Sequence, residues 1–378
     1  MSCNWRAGIA DTHEPPFFHF RVNNMTTPVF HRAGLPESLD ISAAGKPGSV
    51  RPGGENATPE HRIELARAAE RYGFDSILSI ATHKNYDPFV ATAFLAAHTS
   101  RIKFIVAVNP GFALPTFVAQ QSATFQELSN NRLYLNIITG SWEDELRGYG
   151  ERLDKLDRYA RTDEFFDVLK LSFSGERFDY NGKFYSIEGG VPRHLDVTPT
   201  LFVGGSSDAG RAVGVKHADI HLSYGETPPL IAENILRSRE LADKAGRKLQ
   251  FGMLISVIAR ETERILSGVD IDQVERQRQW TATRNSVGEA RVQSVSTGTN
   301  LRDPASLRVY PNIWAGPHRT TLVGSYTEVA ERIEEYLSVG VEHFIIGGRP
   351  ALESICEFGE GVMPLFRNER HDTSRAAA

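Results

Sequence analysis

From Thr58 onward, short β-branched runs alternate with amphipathic stretches of helical period, and that rhythm admits few architectures. Thr58 is placed to cap a first helix that opens on Pro59. Ile63, Leu65, Ala66, Ala69 and Tyr72 form its apolar face, and Gly73 ends it. The strand FDSILSI follows at once. Helices are then predicted near Pro88–Ala97, Pro115–Leu128 and Tyr159–Leu171, separated by the strands KFIVAV and LYLNIIT. The pattern resumes with TLFVGG, a helix from about Ser207, a strand near Asp219–Leu222, a helix from about Pro229 to Ala245 and the strand QFGMLISVIA. The helix TEVAERIEEYLSVG and the strand EHFIIGG complete it.

Two segments interrupt the rhythm. Residues 173–190 alternate aromatic and polar residues around Asn181-Gly182 and read as a β-hairpin insertion. Residues 261–318 are polar and Arg-rich, and a loop this long is a candidate lid. A first strand near Phe17–Phe20, within a Pro/Gly-rich leader running to about Ala57, brings the strand count to eight. The expected fold is a single (β/α)8 TIM barrel over residues 1–370, with residues 371–378 a disordered tail. A doubly wound sheet fits less well, because no early Gly-rich dinucleotide turn is present. In such a barrel the chemistry sits at the C-terminal strand ends, where Asn109, Thr139, Gly204 to Ser207, Tyr224 and Arg349 each follow an apolar run.

Composition narrows the class of partner. The 42 basic and 47 acidic residues leave a formal charge of -5, without a basic run that interleaves aromatics, so nucleic acid is not the expected partner. The apolar runs fall short of the ~20 residues of a membrane span. Two distant cysteines, Cys3 and Cys356, and an N-terminus without a signal-peptide core point to the cytoplasm. The twelve histidines show no ligand spacing with carboxylates, so no metal is expected, and no GxSxG elbow supports a hydrolase.

The sharpest local signal is LFVGGSSDAG, a strand ending in two glycines and two serines before a helix. Gly204 and Gly205 permit close backbone approach, Ser206 and Ser207 carry hydroxyl donors, and the helix start presents free N–H groups. The alternative is a plain Gly turn with a Ser cap. Thr139 at a strand end and Tyr159 in LDRYARTDEF are candidate ligand contacts or structural residues. His83 and His19 are candidate pocket residues or satisfied wall histidines.

Read together in order, these segments resemble the bacterial-luciferase-like flavin monooxygenases, closest to the alkanesulfonate monooxygenase branch. The resemblance runs from AVNPGFALPTFVAQQSATFQELSNNRLYLNIITGSWEDELRGYG through LDRYARTDEF, LFVGGSSDAG, LSYGETPPLIAENI, FGMLISVIARET and PNIWAG to TTLVGSYTEVAERIEEYLSVGVEHFIIGG. It implies reduced FMN bound at the C-terminal face and supplied by a separate flavin reductase, oxygen as co-substrate, a flavin (hydro)peroxide and a small organic substrate. Ser206, Ser207, Gly205 and Tyr159 would hold the phosphate, Thr139 would lie near the ribityl chain, and Asn109 would border the ring. Arg319, His83 and Arg349 are the catalytic candidates, Arg319 through its charge beside the peroxide, while His83 and Arg349 stand where that branch has a cysteine region and a tyrosine. His19, Tyr224, Ser256 and Trp314 are the substrate candidates. Where the sulfonate enzymes carry Arg and His on one strand, this chain has Leu254 and Ser256, so two sulfonate donors are missing. The resemblance also implies a homodimer or homotetramer. Two other readings of the same barrel are a deazaflavin-dependent hydride-transfer oxidoreductase and a non-catalytic flavin-binding protein.

Overall fold

A computed structural model describes residues 40–44, 58–82, 86–140, 143–191, 193, 195–261, 313–315, 320–347 and 351–367. All of them belong to one compact unit, residues 36–378. The first half comprises β1 (Asp40–Ala44), α1 (Pro59–Tyr72), β2 (Ser76–Ser79), α2 (Pro88–Ala96), β3 (Lys103–Val108), α3 (Pro115–Ser129), β4 (Leu133–Ile137), α4 (Glu143–Gly148) and α5 (Lys155–Phe173). A two-stranded insertion, β5 (Phe178–Asn181) and β6 (Ser186–Gly190), comes next. The second half comprises β7 (Thr200–Gly204), α6 (Asp208–His217), β8 (Ile220–Tyr224), α7 (Pro228–Lys244), β9 (Gln250–Arg260), β10 (Ile313–Ala315), β11 (Thr320–Ser325), α8 (Tyr326–Ser338) and β12 (His343–Gly347). After it come α9 (Ala351–Glu357), a π-helical turn at Phe358–Val362 and α10 (Met363–Arg367).

The strands pair in the order β1-β2-β3-β4-β7-β8-β9-β12, and β12 pairs with β1, so the ring closes with every neighbour parallel. This is the (β/α) barrel expected from the alternation. Local chemistry sets its helix ends. The Thr58 hydroxyl accepts from the His61 N–H at 3.2 Å to start α1, and Gly73 closes that helix at a φ of 81° that a side chain would resist. The Asp154 carboxylate caps α5, and a reciprocal Ser325–Glu328 capping box starts α8. Inside the ring, Leu78, Ile105, Phe202, Ile220, Leu222 and Ile345 form the core. No helix of the described residues is long and apolar enough to cross a membrane.

Three expectations need correction. The first barrel strand is Asp40–Ala44, whereas Phe17–Phe20 lies outside the described residues. The strand DISAA is short and ends in two alanines, so it carries little of the β-branched and aromatic signal that marks a strand in sequence. The excursion after β9 does not run unbroken to α8. Residues 256–260 of β9 pair in parallel with β11, and β10 pairs antiparallel with β11. Finally, Tyr159 does not open α5. That helix starts at Lys155, which places Tyr159 one turn inside it and buried.

The hairpin is anchored to the barrel. Glu164 on α5 accepts from the N–H groups of Lys183 and Phe184, both at 2.8 Å. Tyr185 packs its edge on Phe165 and donates its hydroxyl to the Pro110 carbonyl at 3.1 Å. Burial pushes the Tyr185 phenol pKa up, keeping it a donor.

Candidate functional site

The period-two geometry of a strand carries the inward face of the core up to the C-terminal mouth. Ile105 on β3 leads to Ala107 and Asn109, and Tyr134 on β4 leads to Asn136. Phe202 leads to Gly204, Leu222 to Tyr224, Leu254 to Ser256, and Ile345 to Gly347. The lower levels are filled by large apolar side chains. At the mouth the inward positions are mostly small or polar, which leaves space for a ligand and groups to orient it.

Asn109 is 3% exposed, and its Oδ1 accepts from the Gly111 N–H at 2.8 Å, which fixes the turn after β3. The turn is backed by a buried Glu151–Arg161 ion pair. Burial acts to raise the Glu151 pKa, but the Arg161 hydrogen bond and the N–H groups of Leu153 and Arg152 hold it below the usual carboxylate range. Thr139 is half-buried just past β4, next to Gly140 at a φ of 79°. A Cβ at Gly140 would fall 3.1 Å from the Asn109 amide nitrogen, so the β3 and β4 turns are in contact.

The turn from β7 to α6 is the most constrained part of the mouth. Gly205 has a φ of 153°, and a Cβ there would sit 3.1 Å from the Gly210 Cα and 3.2 Å from the Tyr159 hydroxyl. A Cβ at Gly210 would sit 2.9 Å from that same hydroxyl. Both glycines are therefore needed for the turn, helix and Tyr159 to come together. Ser207 caps α6 by accepting from the Gly210 N–H at 3.2 Å and lies 3.3 Å from the Tyr159 hydroxyl. The Ser206 hydroxyl is buried with no partner among the described residues. Behind the turn His221 meets the Gly205 carbonyl at 2.6 Å, and Arg211 donates to the Ser206 carbonyl at 3.1 Å. Burial pulls the His221 pKa down to about 4 against the support of the Gly205 carbonyl, so the ring is neutral with its Nε2 as the donor.

A phosphate monoester fits this turn on three counts. It has an orphaned buried hydroxyl, two positions where a Cβ would crowd the turn or the Tyr159 hydroxyl, and a helix start with a second hydroxyl from Tyr159 beside it. A metal fits the described residues poorly. His217, Asp163 and Asp167 gather on α5 and α6, outside the ring, but Lys216 lies 2.9 Å from Asp163 and 3.4 Å from Asp167, and Lys170 lies 3.3 Å from the His217 Nδ1. The expectation that no histidines have a ligand spacing needs correction, because His217 and His221 stand four apart around Asp219; α6 nevertheless ends between them and the two rings serve different partners.

The structure thus brings Gly205, Ser206, Ser207 and Tyr159 together and sets Asn109 close to Gly140, the residue after Thr139. Ser256 is buried on the inward face of β9, and Tyr224 at the end of β8 is 51% exposed. Arg319, His83, Arg349 and His19 lie outside the described residues. Trp314 is described only through its backbone, which pairs with Thr321 in β10–β11. Sequence reasoning missed Asn136, which is 7% exposed on the inward face of β4 with its Oδ1 lacking a partner among the described residues. Its signal was legible: a lone amide at an inward position of the apolar run LYLNII. Arg211 and His221 were missed as well, because nothing local indicates that a helix Arg and a strand His converge on one turn.

The sequence profile of the luciferase-like monooxygenase family matches residues 26–343. Among solved structures, the chain is similar to an EDTA monooxygenase from Chelativorans sp. BNC1, with a TM-score of 0.72 at 18% identity, covering 88% of this chain and 94% of that one. It is similar also to a riboflavin lyase solved with modified FMN and riboflavin, with a TM-score of 0.70 at 19% identity, covering 88% and 92%. An F420-dependent secondary alcohol dehydrogenase gives a TM-score of 0.67 at 18% identity, covering 86% and 98%. At these identities the structures establish the fold.

Proposed function

The chain belongs to the luciferase-like monooxygenase family, and on that premise we propose that it is an FMN-dependent monooxygenase of a small organic substrate. The observation that carries the proposal is the β7–α6 turn, whose glycines, free hydroxyl and neighbouring Tyr159 suit a phosphate monoester. When bound, reduced FMN supplies two electrons to O₂, so that one oxygen atom enters the substrate and the other leaves as water. Gly205, Ser206, Ser207 and Tyr159 hold the phosphate. Thr139 lies along the ribityl chain, and Asn109 borders the ring, held rigid by its bond to Gly111. Asn136 offers a buried acceptor to a ligand N–H from below. Ser256 and Tyr224 face the substrate, and the substrate roles of His19 and Trp314 rest on the sequence alone. The reaction-facing roles of Arg319, His83 and Arg349 rest on the sequence alone.

A separate reductase delivers the reduced flavin in this proposal, and the chain works as a homo-oligomer in the cytoplasm. The resemblance to the alkanesulfonate branch supports FMN. Leu254 and Ser256, standing where that branch has Arg and His, argue against a sulfonate in the same pose. The deazaflavin reading uses the same turn and is favoured by the likeness to the F420-dependent dehydrogenase. Equilibrium titration with FMN tests the site: the combined Ser206→Ala and Ser207→Ala variant loses about 1–3 kcal/mol of binding, since a charged acceptor loses its donors. Unchanged affinity would place the phosphate elsewhere.

A further inference from the structure

We infer that His221 and Arg211 are positioning residues that aim the Ser206 and Ser207 N–H groups at the cofactor phosphate, holding the turn from the side opposite the ligand. The inference rests on the phosphate reading above. In a planar trans peptide the N–H points opposite to the C=O of the same unit. The Gly205 carbonyl takes the His221 Nε2–H at 2.6 Å, so the Ser206 N–H points away from His221. The Ser206 carbonyl takes an Arg211 N–H at 3.1 Å, so the Ser207 N–H points away from Arg211. Neither N–H donates to a described residue. Two adjacent donors are thereby turned outward by two bonds made behind them, and such successive N–H groups form an anion-binding concavity.

Both holding groups are themselves fixed. His221 alternates with Ile220 and Leu222, which face the barrel core, and so it projects from β8 toward the helix layer. A Cβ at Gly214 of α6 would sit 2.8 Å from its ring, so that glycine makes room for it. Arg211 is tied to α7 by bonds to the Asn234 carbonyl and the Ser238 hydroxyl, each at 3.1 Å. A cavity of about 20 Å³ between them, bordered by Ser206, Ser223 and Ser238, has room for one bridging water. His221 stays neutral when buried, so its part is to direct the turn, with no charge added.

Titrations of the full chain with FMN and with riboflavin, which lacks the phosphate, test this through the ratio of the two affinities. The wild type is expected to prefer FMN. His221→Phe keeps the ring volume beside Gly214 and removes the donor, and it should lower the ratio about tenfold by weakening FMN alone. His221→Gln, whose amide can donate, should recover part of the preference. An unchanged ratio in His221→Phe, or an equal loss for both ligands, overturns the positioning role and leaves the phosphate reading standing. A wild type that binds both flavins equally overturns the phosphate reading, and this inference with it. Should the Phe variant fail to fold, Arg211→Gln supplies the same comparison with the same outcomes.

Discussion

Gly205 shows how far a single residue in this sequence can be interpreted. The GGSS turn stood out in the string alone, as an anion-binding turn or as a plain Gly turn with a Ser cap. Its dependence on Gly210 and Tyr159 was not, since Tyr159 lies 48 positions from Ser207 in sequence. Substituting Gly205→Ala places a methyl against the Gly210 backbone at a φ that side chains rarely adopt. We expect a loss of about 1–3 kcal/mol in stability, read as a shift in the urea midpoint, with weaker FMN binding. A variant of native stability that binds FMN normally would show that the turn relaxes and that its geometry is not the binding determinant. Asn136 illustrates the opposite case: visible as an oddity in an apolar strand, it gained meaning only when the barrel register turned it inward.

Among the elements, the strands with strong β-branched runs and the helices with caps were readable, and the weakly marked ones were not. β1 consists of DISAA, and β11 is TTLVGS placed after a long polar segment, so both are recognised by their partners β12 and β9 more than by their own residues. The helices α2 and α3 show a different pattern. Val90 and Phe94 lie one turn apart on α2, and Phe117 and Leu128 share a face of α3, and all four are exposed. A neighbouring pair of helices with this apolar surface suits a self-complementary interface between two copies. On the proposal that the chain is a homo-oligomer held by this face, Phe117→Asp is expected to lower its assembly state in analytical ultracentrifugation without changing its circular dichroism. A wild type that sediments as a monomer would remove this interface from the account.

At the scale of the whole molecule, two buried histidines make stability depend on pH. Burial holds the pKa of both His217 and His221 down to about 4, against an ordinary value near 6.5. Above about pH 6.5 neither folded nor unfolded chain is protonated there. Between about 6.5 and 4 the unfolded chain binds protons the folded one excludes, so stability falls as pH falls. Each residue contributes on the order of 2–3 kcal/mol across that window. Asp163 is half-buried, which acts to raise its pKa, but hydrogen bonds from Lys216 and His217 hold it below the usual carboxylate range, so its own loss of stability comes only at more acid pH, below this window. Urea denaturation from pH 7.5 to 4.5 should show a steep decline, and His217→Phe should flatten part of it. A flat profile would mean that these rings take up protons in the fold as readily as in the unfolded chain.

The closed barrel and the Gly- and Ser-built turn at its mouth support the proposal that this chain binds a phosphate-bearing flavin at the β7–α6 turn. Anaerobic titration with reduced FMN, run beside reduced deazaflavin F420, tests that claim most directly. The account predicts saturable binding of one reduced FMN per chain, tighter than the deazaflavin. Binding of the deazaflavin with none of reduced FMN would contradict it and assign the same turn to hydride-transfer chemistry.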